Sequence, residues 1–430
     1  MIARALEPHQ ARLSQLSDGL AIAVAASIPW STSATSILAG LWLIVFLPTL
    51  DLAKLRLMVT TPAAAFVLLL IALALLGMLW SDAGQALAFR GFSPFAKLLV
   101  LPLLLIHFRQ SERGMWVFGA FLISCSLLLV ASFITIVWTK PFGFRMKSEG
   151  IPVKDRIAQS GEFVLCAFGA AYLAFDYYRA ARRRLAMALA VLSGAFLANV
   201  LYVAASRTAL VVIPVLMLVL GFRWLGWKGL FALGAAGILL GAGVWLSSSH
   251  TQRRVTGIIQ EIEAYEAGRQ ITSSGQRIFY WTNALSFIKA APVIGHGTGM
   301  TRPLFEQVTG GARYWTTANP HNQTLFVGIQ LGLVGIAVLF AIWLSHFLLF
   351  AGRPGLAAGI GLLVVVQNIV GSLFNSHLFD FTQGWIYVFG VGVAGGMMLR
   401  QSRPVSKIRS SPNFEATSKR TSDSQDTGNT

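Results

Sequence analysis

The sequence predicts an all-α polytopic membrane protein, with about twelve transmembrane helices and one large helical loop on the outer side. Three observations predict it. Of 430 residues, 55% are apolar and only 12% are charged, about half the charged share of a soluble domain. The apolar residues gather into about twelve runs, most of them close to the ~20 residues that cross a bilayer. Every second connection between runs is basic, as the positive-inside rule requires. A chain of this composition cannot cover a water-soluble globule, and it is no disordered chain either. Cys125 and Cys166 both fall inside apolar runs, so they read as buried thiols rather than a disulfide framework or a zinc site.

The elements follow in order. Run 19–30 comes after Arg4 and Arg12 and has the form of a signal-peptide core. The next run, 34–50, follows at once, so the first reads as a retained span. Pro29 and Ser31-Thr32-Ser33 break the two into a short hairpin. Runs 62–80, 92–107, 114–138, 159–178, 185–203, 207–222 and 227–246 complete nine spans within residues 19–246. Runs 321–350, 356–373 and 382–399 supply three more within 321–399.

With residues 1–18 on the cytoplasmic side, the inner connections carry Lys54 and Arg56, then Arg109 and Arg113, then Arg179 with Arg182-Arg183-Arg184. Arg223 and Lys228, Arg353, and the tail from Arg400 follow on the same side. The polar tail 400–430 is expected to be disordered. The formal net charge of +17 thus reads as topology, and no nucleic-acid-binding module is present to claim it.

Residues 247–320 form the large outer loop. Its first part reads as a polar helix over 252–268, where Glu261, Glu263 and Glu266 share a stretch with Arg253, Arg254 and Arg269. From Ser274 the pattern of Arg277, Tyr280-Trp281, Leu285 and Phe287-Ile288 predicts a second helix at the membrane surface. Pro292 ends it, and Gly295-His296-Gly297-Thr298-Gly299 reads as a flexible turn.

The outer side also holds cations that topology does not need. These are Arg90; Lys140, Arg145, Lys147, Lys154 and Arg156; Arg207; and Arg253, Arg254, Arg269, Arg277, Lys289, Arg302 and Arg313. A long translocated loop tolerates such residues at no cost. Arg207 is different, because Ala205-Ser206-Arg207-Thr208-Ala209 sits between two apolar runs with almost no loop to hold it. An ionisable residue there snorkels or faces a polar cavity. Lys97, inside the fourth run, reads as snorkelling or helix packing. Guanidinium forks suit phosphate and pyrophosphate, so a lipid bearing such a group is the implied ligand class. On charge alone Arg145, Lys147, Lys154 and Arg156, with Gln159 at the next span, are candidates for binding phosphates of a substrate.

His321, in Asn319-Pro320-His321-Asn322-Gln323, stands where the outer loop re-enters the membrane. Pro320 favours a turn or helix start there. A neutral imidazole accepts a proton near neutral pH, and nearby arginines would keep it neutral. His321 is therefore a candidate general base, the alternative being an ordinary interfacial histidine. His250, His296 and His377 read as structural. With no HExxH, no CxxC, and Asp380 the only acid in its loop, no metal and no cofactor is predicted. The scarcity of outer carboxylates argues against carboxylate-based glycosyl transfer.

Three stretches together resemble the lipopolysaccharide O-antigen ligases and their superfamily, which includes O-antigen polymerases and protein O-oligosaccharyltransferases. They are Ser206-Arg207-Thr208-Ala209; Ser274-Gly275-Gln276-Arg277 with Trp281, Ala291-Pro292 and Gly295-His296-Gly297; and Pro320-His321-Asn322-Gln323-Thr324-Leu325 running into Gly332-Leu333-Val334-Gly335. The resemblance is strongest over 200–340. It implies a GT-C-type glycosyltransferase of the bacterial inner membrane, with both termini cytoplasmic and a periplasmic active site. The donor would be O-antigen on undecaprenyl diphosphate, and the acceptor a sugar hydroxyl of lipid A-core. By that resemblance Arg207 and Arg277 hold the donor diphosphate and His321 activates the acceptor, with Asn322 beside it among the binding residues. The implied reaction is a metal-independent inverting displacement. A polymerase, a protein O-oligosaccharyltransferase and, in a different class, a transporter or flippase of an anionic lipid are the alternatives.

Overall fold

The computed structural model describes residues 2–138, 149–268 and 271–401. Arg145 and Lys147, the tail 402–430 and Arg269 lie outside the described residues. Among those described, the chain is helical throughout. Seven helices make the first half: α1 (Ile2–Ser27), α2 (Thr32–Phe46), α3 (Leu52–Val59), α4 (Pro62–Leu76), α5 (Gln85–Ala96), α6 (Val100–Gln110) and α7 (Gly114–Val137). Four long helices follow: α8 (Arg156–Arg179), α9 (Arg183–Tyr202), α10 (Arg207–Leu225) and α11 (Trp227–Ser247). The outer loop folds into α12 (Ser249–Glu266), α13 (Ser273–Ala290) and α14 (Thr301–Thr309). The chain closes with α15 (Gln323–Phe350), α16 (Leu356–Gly371) and α17 (Phe381–Gln401).

Each of the twelve apolar runs lies on a helix. Among the described residues eight helical stretches are long and apolar enough to cross a membrane, with α2 extended to Thr49 and α5 through α6 (Gln85–Gln110) counted as one each, or nine if α3 and α4, bent by 85°, form one broken span. The rest fall short for local reasons. The N-terminal half of α1 is polar, α16 has only 16 residues, and glycines with Thr382 and Gln383 dilute the apolar content of α17. The chain is a multi-pass, all-helical membrane protein.

Packing places α16 and α17 at the centre. α6 lies along α17, α8 along α9 and α16, and α10 along α11 and α16. Buried side chains from these helices form one core that includes Phe108, Phe163, Phe196, Leu363 and Val388. α11 stands at the edge, burying only Gly229, as suits a helix facing lipid.

The Gly295–Gly299 stretch is not the flexible turn that its composition suggests. α15 is broken at Gly332, where φ is 61°. The stretch plugs that break with backbone: His296 N–H donates to Ile329 O at 2.9 Å and Gly297 N–H to Gln330 O at 2.9 Å. In return Leu333 N–H reaches Pro292 O at 2.8 Å and Val334 N–H reaches Val293 O at 3.2 Å. Thr298 then ties the strap to α4 through Ala74 O at 2.6 Å. A Cβ on Gly332 would lie 2.3 Å from Val293 O, so only glycine fits. Inside a membrane the freed groups of a broken helix need partners, and the proline–glycine strap supplies them. The two glycine-bearing motifs of the sequence are thus halves of one joint.

Candidate active site

Arg207 owes its position to a helix cap. Ser206 accepts from Ala209 N–H at 3.1 Å and pairs with Ser160 of α8 at 2.7 Å, which makes Arg207 the first residue of α10. Its guanidinium grips Glu261 of α12 in a two-pronged pair, at 3.0 and 2.6 Å, and reaches Ser274 Oγ at 2.9 Å. Such forks are the strong form of ion pair. Glu261 also receives Ser274 N–H at 3.0 Å and Ser274 Oγ–H at 2.7 Å. Burial raises its carboxyl, but these four bonds outweigh burial and hold it down to about 2. Thr272 caps α13 and donates to Glu261 O at 2.8 Å. Gly275 is needed because a Cβ there would strike Tyr265 at 2.5 Å. The Ser274-Gly275 pair is therefore the seam between α12 and α13.

One turn further along α13, Arg277 is half-buried and its side chain makes no hydrogen bond or ion pair among the described residues. Burial first, and then the charge of Arg207, pull its pKa down, with Glu261 opposing. The guanidinium stays charged at any ordinary pH. One turn on from Arg277, the Tyr280 ring lies 6.1 Å from that of His321, and the charge of Arg277 bears on that imidazole. Arg207, Arg277 and His321 therefore share one site.

His321 sits in a left-handed backbone conformation, with φ of 56°, uncommon for a residue bearing a side chain. Asn319 holds it there, accepting from His321 N–H at 2.9 Å and from Ser376 Oγ–H at 2.7 Å. Trp281 of α13 donates to Pro320 O at 3.1 Å, which clamps the turn to the loop helices. The ring Nδ1 lies 2.8 Å from Asn375 Oδ1, and Asn375 Nδ2 donates to Asp380 Oδ2 at 2.7 Å. Because Asn375 gives its N–H to Asp380, its oxygen faces the histidine, and Nδ1 must carry the proton. Nε2 then holds the lone pair, and it makes no hydrogen bond among the described residues. Burial lowers the His321 pKa, the bond to Asn375 opposes that, and the charge of Arg277 adds to the fall. The ring is neutral near pH 7.

The segment 372–380 that carries Asn375 and Asp380 is welded to the start of α15. Gln323 Oε1 accepts from Leu378 N–H at 3.1 Å and Phe379 N–H at 3.3 Å, while Gln323 N–H reaches Ser372 O at 3.0 Å. Lys97 is half-buried and donates to Asp380 O at 2.8 Å, a contact that favours packing over snorkelling for it. Burial pushes Asp380 up to about 7, against the opposing charge of Lys97.

Two clefts flank this network. One, of about 590 Å³, is lined by Trp30, Lys154, Asp155, Asn375, Asp380 and Thr382. The other, of about 380 Å³, is lined by Arg90, Arg302, Asn319, Gln330, Ser376 and Asp380. Lys154 is committed to structure, bonding to Ile28 O and to Thr382 Oγ1 at 2.8 Å and pairing with Glu162 at 3.5 Å. Gln159 is buried, with Nε2 donating to Gly150 O at 3.0 Å and Ser132 Oγ at 3.1 Å. Arg156 opens α8, its Nε buried without a hydrogen-bond partner among the described residues. Asn322 caps α15 through Leu325 N–H at 3.1 Å and donates to Leu373 O at 3.0 Å, so both ends of its amide serve the fold. His296 bonds to Phe287 O at 2.8 Å, a structural role. Sequence reasoning missed Glu261, Asn375 and Asp380; only Glu261, an acid in a loop of excess arginines, gave a signal.

A family model described as O-antigen ligase matches residues 192–340. The similarity to that family covers about a third of the chain. The ligase segment contains Arg207, Glu261, Arg277 and His321, together with the strap and the break it fills. A curated Haemophilus influenzae protein, itself described as uncharacterized, is 32% identical over 139 residues, which is 30% of this chain and 34% of that protein. The match spans about a third of that relative's length. The chain is thus a multi-pass membrane protein of which about a third is similar to the O-antigen ligase family. Asn375, Asp380 and Lys97 join the candidate site from outside the matched segment.

Proposed function

We propose that the protein is an O-antigen ligase of the bacterial inner membrane, acting on its periplasmic face. It transfers polysaccharide from undecaprenyl diphosphate to a sugar hydroxyl of lipid A-core. The observation that carries this reading is the meeting of two arginines with a neutral histidine whose Nε2 is unoccupied, at one end of the bundle. Arg277, unpaired among the described residues, receives the donor diphosphate, and Arg207, held beside it by Glu261, is proposed to contribute remaining guanidinium N–H groups to the same phosphates. A diphosphate is a good leaving group, so these cations need only stabilise charge that develops on it. No general acid is required.

The acceptor hydroxyl approaches the anomeric carbon from the face opposite the diphosphate. Its oxygen forms the new glycosidic bond as the bond to the diphosphate oxygen breaks. The hydroxyl proton passes to Nε2 of His321, and undecaprenyl diphosphate departs. Asn375 holds Nδ1–H and so keeps the lone pair on Nε2. One displacement inverts the anomeric centre, with no covalent enzyme intermediate and no step that calls for a metal. Arg156 and the Arg90 side of the smaller cleft offer cationic surroundings for phosphates of the acceptor core, and on charge alone Arg145 and Lys147 are proposed for the same role.

The test is the surface glycolipid profile of a strain lacking the protein, read beside its undecaprenyl-linked polymer pool. Ligation predicts that the lipopolysaccharide ladder disappears while full-length polymer accumulates on the carrier, and that a His321→Ala allele fails to restore it. A ladder cut to one repeat would show a polymerase instead. An unchanged ladder would refute both.

A further inference from the structure

The far end of the bundle carries a third charged cleft. α8 and α10 begin at Arg156 and Arg207, and α15 begins just after His321. The other ends of these three helices therefore lie at the opposite face of the molecule from the histidine. There Arg179 ends α8, Arg223 lies in the last turn of α10, and Arg353 follows α15. All three arginines line one cleft of about 690 Å³, against a single carboxylate, Asp176.

The cleft changes character with depth. At its rim Phe175 and Trp224 stack with ring centres 4.6 Å apart, Arg179 lies over Phe175 at 6.0 Å, and Arg223 lies over Tyr172 at 5.7 Å. Toward the middle of the bundle the walls become Val215, Leu218, Val219 and Leu362. The arginines divide their work. Arg223 is part of the fold, donating to Arg353 O at 2.6 Å and Gly355 O at 3.2 Å. The side chains of Arg179 and Arg353 are exposed and make no hydrogen bond or salt bridge among the described residues.

We propose that this cleft binds an anionic phospholipid, with the headgroup phosphate between Arg179 and Arg353 and an acyl chain along the Val215–Leu218 wall. Guanidinium groups match phosphate oxygens in fork geometry, aromatic rings favour the headgroup level, and basic pockets between membrane helices suit multiply charged lipid headgroups. A free phosphate would leave the apolar wall unused. A soluble acidic peptide would have no reason to enter a wall that faces hydrocarbon.

The experiment takes the full chain in detergent and counts bound lipid by native mass spectrometry, with cardiolipin, phosphatidylglycerol or phosphatidylcholine added. Wild type should retain the two anionic lipids over phosphatidylcholine. Losing a charge-assisted bond to phosphate costs about tenfold, so R179A/R353A should bind cardiolipin on the order of 100-fold more weakly. A photoactivatable phosphatidylglycerol should crosslink the wild type in the peptide holding Leu218 and Trp224. Equal retention by variant and wild type, or crosslinks confined to other helices, would overturn the proposal. Displacement of the lipid by millimolar inorganic phosphate would overturn it too, showing a site for the free anion.

Discussion

Asn375 offers the sharpest test of the proposed chemistry, because it acts on His321 without touching substrate. Asn375→Ala removes the acceptor that Nδ1 meets at 2.8 Å. A neutral hydrogen bond is worth about 0.5–1.5 kcal/mol, so the turnover rate should fall by roughly two- to twelvefold. His321→Ala removes the base itself and should cost about 10²–10⁴. The two losses differ enough to be separated in a reaction with purified protein, lipid-linked polymer and lipid A-core, followed by the product ladder on a gel.

The pH profile supplies the decisive sign. The active imidazole is neutral, so activity falls on the acid side as His321 takes a proton. The bond to Asn375 raises the histidine pKa, whereas the charge of Arg277 lowers it. Asn375→Ala should therefore move the acid limb of kcat/KM to lower pH, and Arg277→Ala should move it to higher pH. Loss of folding would not produce shifts of opposite sign. Limbs that move the same way, or a His321→Ala variant within about threefold of wild type when a base is worth at least ~10², would refute the roles given to Asn375 and His321.

Three other outcomes follow from the same geometry. Glu261→Gln should loosen the seam between α12 and α13 by about 1 kcal/mol, a figure reduced for the solvent exposure of the pair; hydrogen exchange of α12 amides at pH 7 measures it. Because the Glu261 pKa is depressed, that contribution is present above the ordinary value of 4.5 and lost as pH falls toward about 2, so the variant and wild type should converge in acid. Asp380 has the opposite sign: its pKa is raised from 3.8 to about 7, so wild-type stability should fall as pH climbs through that window, and Asp380→Asn should lack the fall in thermal unfolding followed from pH 4 to pH 8. Gly332→Ala forces a Cβ against Val293 O in a left-handed conformation and should cost on the order of 2–4 kcal/mol, seen as a lowered Tm, whereas Gly243→Ala, which meets nothing, should not lower it.

The spans and the three motif residues were legible because each leaves a local mark. Apolar length marks a span, and an arginine at a helix start with no loop to hold it marks a constraint. The partners of those residues leave no such mark. Glu261 is one of three acids on a polar helix, and only the meeting of α12 with α10 selects it over Glu263 and Glu266. Asn375 lies 54 positions from His321, and nothing in the intervening sequence announces the contact. Lys154, Gln159 and Asn322 show the converse. Their charge or position suggested binding, yet Lys154 Nζ, Gln159 Nε2 and Asn322 Nδ2 donate to Thr382, Gly150 and Leu373, partners that only the fold brings to them.

The division of the site along the chain has a physical reason. Residues 192–340 supply the two arginines and the histidine to which the proposed mechanism gives anion binding and proton transfer, and this is the part that matches the ligase family. The residues that orient the base come from 372–380, between α16 and α17, with Lys97 holding that segment by its carbonyls. A base must be fixed in direction as well as in place, and an imidazole in a left-handed turn at the head of a helix has no neighbour of its own to do this. Its orientation therefore depends on how α15 docks against α16 and α17. That docking depends in turn on Gln323, which bonds Ser372, Leu378 and Phe379 together. Gln323→Ala should accordingly slow turnover while leaving donor binding unchanged, since neither arginine touches the weld. If the variant instead lost donor affinity with its rate intact, the weld would serve the arginines, and the orienting role assigned to 372–380 would be wrong.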